Sequence, residues 1–214
     1  MLGADMSTVV KICGITNVED GLAAATAGAD AVGLMFYDQS PRNVSLQTAA
    51  EIAGALPPYI IKVGVFVSPT EEEVLSAITH CGLNILQFHG EETPEFCRLF
   101  PVMTIKAFRM KDEDSLKALP DYDTDAWLLD AYVADKLGGT GAKFNWDLAI
   151  AAQKLGRPVF LAGGLTPENV GDAVRKVRPY AVDVSSGVES APGKKDHAKV
   201  RAFIQAAKAA GTDN

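Results

Sequence analysis

Cysteine and histidine are both scarce, with three of each among 214 residues. Cys13, Cys81 and Cys97 cannot all pair internally and show no close ligand spacing, which argues against a disulfide framework or a zinc module. Reduced thiols in a cytoplasmic protein are expected instead. The histidines form no cluster in the sequence, so no metal site is expected. No window approaches the roughly 18 uncharged apolar residues a membrane span requires, and Met1 to Val10 lacks a basic region followed by an apolar run. Membrane insertion and secretion are therefore not expected. Positive charge is short too: 20 Lys+Arg stand against 27 Asp+Glu, with no basic cluster beyond Lys194-Lys195. That balance speaks against nucleic acid as a partner. Linkers and low-complexity stretches are missing, so residues 1–214 read as one domain, with only Met1–Ser7 and Gly211–Asn214 expected to fray.

What the chain does have is alternation. Short runs rich in Val, Ile, Leu and Phe are separated by longer segments of helical period, the pattern of repeated βα units around a parallel sheet. The predicted strands are Val9–Cys13, Ala31–Phe36, Ile60–Val67, Ile85–Phe88, Met103–Phe108, Ala126–Asp130, Val159–Ala162 and Ala181–Val184. The predicted helices are Val18–Ala27, Leu46–Leu56, Glu71–Cys81, Pro94–Phe100, Glu113–Leu119, Trp146–Leu155, Pro167–Val177 and Lys195–Ala210. Thr16–Glu19 and Thr70–Glu73 read as capping boxes, while Thr93-Pro94 and Thr166-Pro167 place a cap before proline at the first helical position. At about 27 residues per unit this is an α/β chain close to the smallest size at which a (β/α)8 TIM barrel closes. An open doubly wound sheet is the competing architecture. Closure is favoured because the candidate functional residues fall at the carboxyl ends of many strands, not at one switch point.

Two glycine turns indicate what is bound. Gly163-Gly164 follows strand seven and Ser185-Ser186-Gly187 follows strand eight, the loops that commonly hold a phosphate in a barrel. Gly138–Gly141 is glycine-dense and reads as a mobile connection. Alternation puts Lys11 and Cys13 on the inner face of strand one, with Cys13 nearer the rim. A phosphate site supplies the positive surroundings that favour a thiolate. Asp130 ends an otherwise apolar strand, where desolvation favours the neutral form that a general acid needs. Arg42, stiffened by Pro41, is a candidate carboxylate fork. Gln87 and His89 share a face at the end of strand four; for His89 a hydrogen-bonded structural role is the simpler reading. Lys11 and Asp183 both point inward on neighbouring strands and are expected to pair.

Together these segments resemble the phosphoribosylanthranilate isomerase family of tryptophan biosynthesis: Lys11–Thr16, Ser40–Arg42, Gln87–Gly90, Leu128–Asp130, Gly138–Gly141, Ala162–Val170, Val182–Glu189 and Pro192–Asp196. The resemblance implies an Amadori rearrangement of N-(5-phosphoribosyl)anthranilate to 1-(2-carboxyphenylamino)-1-deoxyribulose 5-phosphate. It implies no cofactor. It also implies that Cys13 is the general base and Asp130 the general acid, with Arg42 holding the anthranilate carboxylate. Gln87, His89, Gly163, Gly164, Ser185, Ser186 and Gly187 complete the expected substrate site. The small-molecule substrate is the expected partner, and the chain is expected to be a monomer or homodimer. The stretch Ala142–Trp146 departs from many relatives and leaves the roles of Lys143 and Asn145 open. Related barrels fit less well. Sugar-phosphate epimerases use metal-binding histidines and carboxylates, and the equivalent isomerase of histidine biosynthesis uses an aspartate where strand one here ends in Cys13. A non-catalytic phosphate-binding barrel would not need the Cys13, Asp130 and Arg42 set.

Overall fold

The structure, a computed structural model, describes residues 8–131 and 146–212. Eight strands form its barrel: β1 (Val9–Cys13), β2 (Ala31–Phe36), β3 (Ile61–Phe66), β4 (Ile85–Phe88), β5 (Met103–Met110), β6 (Ala126–Ala131), β7 (Val159–Leu161) and β8 (Ala181–Val184). All pair in parallel and in sequence order, and β1 pairs with β8 as well as β2, which closes the barrel and excludes the open sheet. Strand alternation then divides the apolar residues into two cores. Inside the barrel lie Cys13, Ala31, Val63, Val65, Ile105, Leu128 and Phe160 among others. Outside, Ile12, Val32, Leu34, Phe88, Trp127 and Leu129 pack against the surrounding helices.

Those helices are α1 (Val18–Thr26), α2 (Leu46–Ala55), α3 (Glu71–Cys81), α4 (Pro94–Cys97), α5 (Trp146–Gln153), α6 (Val170–Val177) and α7 (His197–Thr212). Two of the four expected capped starts form and two differ. The Thr70 capping box on α3 forms as predicted, and Thr93 caps α4 with Pro94 next in line. At α1, however, Asn17 and not Thr16 is the cap, accepting from the Asp20 N–H, while the Thr16 hydroxyl donates to the Gly193 carbonyl. At α6 the helix begins at Val170. Asn169 turns back, accepting from the Thr166 N–H and donating to the Gly164 carbonyl, so Pro167–Asn169 form a separate turn. Helix α4 is a single turn that ends at Cys97, short of the expected Phe100.

After β5 the expected α-helix is a 3-10 helix, Glu113–Asp121, capped by Asp112 and carrying Pro120 near its end. Helix α7 starts at His197 because Lys194–Lys195 are drawn into a hairpin that was not anticipated. Its strands are β9 (Glu189–Ala191) and β10 (Lys194–Lys195), joined through Pro192 and Gly193, whose φ of 77° suits the third position of a type II turn. Helix α7 runs through Gly211 to Thr212, past the expected point of fraying. One buried ion pair steadies the β4 end: the Glu92 carboxylate accepts from the Ser68 and Gly90 N–H groups and sits 2.7 Å from Lys106 Nζ.

Candidate active site

Strand β1 supplies the floor. Val9, Lys11 and Cys13 face inward, and Lys11, with no exposed surface, places Nζ 2.7 Å from Asp183 Oδ1 on β8. The expected pair therefore forms. Burial works against the Lys11 charge, yet Asp183 and the Cys13 sulfur together hold its pKa above the usual lysine value. Burial pushes the Cys13 thiol up, and the Lys11 ammonium pulls it down without prevailing. Room for the sulfur comes from Gly33, its register partner on β2, where a Cβ would lie 2.7 Å from Cys13 Sγ.

Across the mouth, inward alternation along β6 brings Leu128 into the core and Asp130 to the rim. The apolar surround expected for Asp130 is not what it meets. Its side chain is 32% exposed, and His89 Nε2 lies 3.4 Å from Oδ2. Gln87 Nε2 stands 3.2 Å from His89 Nδ1. The two ring nitrogens of His89 face Gln87 on one side and Asp130 on the other. His89 is thus hydrogen-bonded, as the simpler reading had it, and it lines the pocket as well.

Arg42 does not enter alone. Its Nε and Nη2 reach the two carboxylate oxygens of Glu189 at 2.8 and 2.7 Å. Glu189 also accepts from Lys195 Nζ at 2.9 Å. The two cations hold the Glu189 carboxyl below the usual range despite the opposing effect of burial. Burial lowers Lys195, and Glu189 only partly offsets this. Neither Glu189 nor Lys195 was expected at the site. Glu189 is 147 positions from Arg42, and no local pattern links them. The Pro192-Gly193 dipeptide was the available signal, since it marks the turn that folds Lys195 back beside Glu189.

The glycine turns meet at the third side. Gly163 and Gly164 adopt φ of 81° and 67°, left-handed conformations that favour glycine. Ser186–Val188 form one 3-10 turn, and a Cβ on Gly187 would lie 1.9 Å from the Leu165 carbonyl oxygen, so the two loops are in backbone contact. All ten residues expected at the site line one pocket of about 240 Å³ at the carboxyl ends of the strands. Among the described residues, two buried side-chain polar atoms have no hydrogen-bond partner, Gln87 Oε1 and Ser185 Oγ, and both residues line this pocket. Gly138–Gly141, Lys143 and Asn145 lie outside the described residues.

Comparison with known proteins shows the family of the chain. The family model described as N-(5'phosphoribosyl)anthranilate (PRA) isomerase matches residues 10–206. The N-(5'-phosphoribosyl)anthranilate isomerase of Geotalea uraniireducens is 56% identical over 201 residues, covering 94% of this chain and 98% of the relative. The crystal structure of phosphoribosyl anthranilate isomerase from Thermotoga maritima superposes with a TM-score of 0.89 at 44% identity, covering 94% of this chain and 99% of that one. A structure of phosphoribosyl anthranilate isomerase in complex with reduced 1-(o-carboxyphenylamino)-1-deoxyribulose 5-phosphate has a TM-score of 0.86 at 42% identity, with 94% and 99% covered. On the match along nearly its whole length and the likeness of its barrel, the chain belongs to the N-(5'-phosphoribosyl)anthranilate isomerase family.

Proposed function

We propose that this chain converts N-(5-phosphoribosyl)anthranilate to 1-(2-carboxyphenylamino)-1-deoxyribulose 5-phosphate, with Cys13 as general base, Asp130 as general acid and Arg42 as the carboxylate anchor. The observation that carries the reading is the convergence of those three side chains and both glycine turns on one pocket. The turns after β7 and β8 seat the phosphate through backbone N–H groups. Ser185 Oγ and Gln87 Oε1, unpartnered within the protein, suit the polar groups of the pentose or its phosphate. With the phosphate at one end and the carboxylate at Arg42, the ribose lies between Asp130 and Cys13.

Asp130 gives a proton to the ring oxygen, the C1–O bond breaks, and nitrogen supplies electrons to form an iminium at C1. That cation acidifies the C2 hydrogen. Cys13 removes it, leaving an enamine, and return of a proton to C1 with loss of the C2 hydroxyl proton gives the ketone. A thiol raised by burial is a poor base at rest. The iminium changes this: its positive charge beside the sulfur favours the thiolate, the thiol proton passes to water at the pocket mouth, and the sulfur is then free to take the C2 proton.

Each positioned proton transfer contributes roughly 10²–10⁴-fold, about 3–5 kcal/mol of barrier. Cys13→Ala and Asp130→Asn are expected to melt like the wild type and to lose turnover by that factor in a fluorescence assay of substrate consumption. Near-wild-type turnover in either variant would remove the assigned role. Arg42→Ala is expected to raise KM more than it lowers kcat.

The reading keeps one domain working in the cytoplasm; among the described residues no helix is long and apolar enough to cross a membrane. The Thermotoga maritima isomerase is described as dimeric. A homodimer is proposed here also, joined at the amino-terminal mouth of the barrel, where Tyr59, Met103 and Tyr180 stand exposed around an apolar hollow.

A further inference from the structure

Arg42 reaches the pocket with one edge of its guanidinium already taken. Nε and Nη2 face the two oxygens of Glu189 at 2.8 and 2.7 Å, a bidentate fork. A guanidinium is planar and rigid, so holding that edge fixes where the remaining Nη1 and Nη2 hydrogens point. Glu189 is itself held. Its side chain is 5% exposed, and the Lys195 ammonium, with no exposed side-chain surface, reaches both Glu189 Oε1 at 2.9 Å and the Ser185 carbonyl at 3.3 Å.

The hairpin that carries these residues is tied to the start of α1. Gly193 accepts from the Thr16 hydroxyl, and Asp20 accepts from the Lys195 N–H while pairing with His197 at 2.7 Å. On the opposite side the stem of Arg42 crosses Gly14, where a Cβ would lie 2.6 Å from Arg42 Cδ. The guanidinium is thus fixed at its edge by Glu189 and at its stem by Gly14.

By charge alone, a carboxylate beside an anion's seat opposes the anion. We infer that Glu189 is a positioning residue, which aims the free edge of Arg42 at the ligand carboxylate and is held in place by Lys195. This inference rests on the assignment of Arg42 to that carboxylate. Charge and geometry then demand opposite outcomes on removing the Glu189 charge. Relief of repulsion tightens the carboxylated ligand, whereas loss of aim weakens it.

The test is equilibrium binding of two stable probes to the intact protein. One is reduced 1-(2-carboxyphenylamino)-1-deoxyribulose 5-phosphate. The other is the same compound built on aniline, without the carboxylate. The readout is the ratio of their affinities, which a merely structural role does not move. Glu189→Gln is expected to shrink the ratio about tenfold, the scale of a lost charged hydrogen bond, while leaving the aniline compound's affinity unchanged. Arg42→Lys keeps the charge without the fork and shrinks the ratio likewise, and adding Glu189→Gln to it produces no further loss.

A ratio larger than wild type in Glu189→Gln overturns the inference, as does equal weakening of both probes. If Glu189→Gln does not fold, Glu189→Asp keeps the charge and shortens the reach. Positioning predicts a fall in the ratio there, and an unchanged ratio overturns it. Arg42→Ala reports separately: a ratio unchanged in that variant removes the carboxylate assignment itself, whatever Glu189 does.

Discussion

Lys11 has no exposed surface and lies inside the barrel, where its contact with Asp183, with the Cys13 sulfur beside it, makes the charge tolerable. Removing one member of such a pair strands the other. Lys11→Met is therefore expected to cost about 3–5 kcal/mol in denaturant unfolding, and Lys11→Met with Asp183→Leu to recover much of that loss. The sulfur gives a second readout. Lys11 opposes the upward push of burial on Cys13, so without it the thiolate fraction falls at any given pH. Alkylation of Cys13 by iodoacetamide should then slow, and its pH profile should move to higher pH. A Lys11→Met variant with wild-type stability and an unmoved alkylation profile would show that the pair is idle. This contact was legible in the sequence, because alternation turns both residues inward and barrel closure makes β1 and β8 neighbours. Arg42 with Glu189 was not. Their meeting depends on a hairpin that returns Lys195 beside Glu189, and neither residue's immediate surroundings announce the other.

Elements place the site by backbone as much as by side chain. The turns after β7 and β8 approach so closely that a methyl group at Gly187 would collide with the Leu165 carbonyl. Neither partner in that collision is a flexible side-chain tip, so one loop has to move. Gly187→Ala is expected to destabilise the fold by about 1–3 kcal/mol, the usual scale of overpacking, and to weaken inorganic phosphate in competition with the reduced product analogue. Phosphate affinity equal to wild type would mean the loops seat something else. The turns themselves were readable as phosphate-holding loops. The helix starts beside them were less so, and for a physical reason: Asn17 caps one residue later than Thr16 would, on the Asp20 N–H, and Asn169 folds back onto the Thr166 N–H, alternatives that side-chain preference alone does not rank. The helix after β5 lies where its period places it, but as a 3-10 helix, since its apolar spacing suits either form over so short a span.

At the scale of the whole molecule the barrel has two unlike mouths. Strand order, closure and the carboxyl-end location of the site follow from the repeated βα pattern, which is why they could be read from the chain. The amino-terminal mouth could not, because its character comes from the bottom ends of several strands at once. There Ile61, Val63, Ile85, Ile105 and Phe160 line an apolar hollow of about 650 Å³. Around it Tyr59, Met103 and Tyr180 are 71%, 55% and 45% exposed, with Asp30 and Lys208 paired at the edge. An apolar centre with a polar rim is the anatomy of a protein interface, and a two-fold contact asks one face to meet itself. Tyr59→Asp puts a charge on that face, and a second copy would have to bury it unpaired. The expected result is a dimeric wild type and a monomeric variant by analytical ultracentrifugation at micromolar concentration. Turnover per chain should be unchanged, because all ten site residues lie at the opposite mouth. A monomeric wild type, or a variant as dimeric as its parent, would leave the hollow without this role.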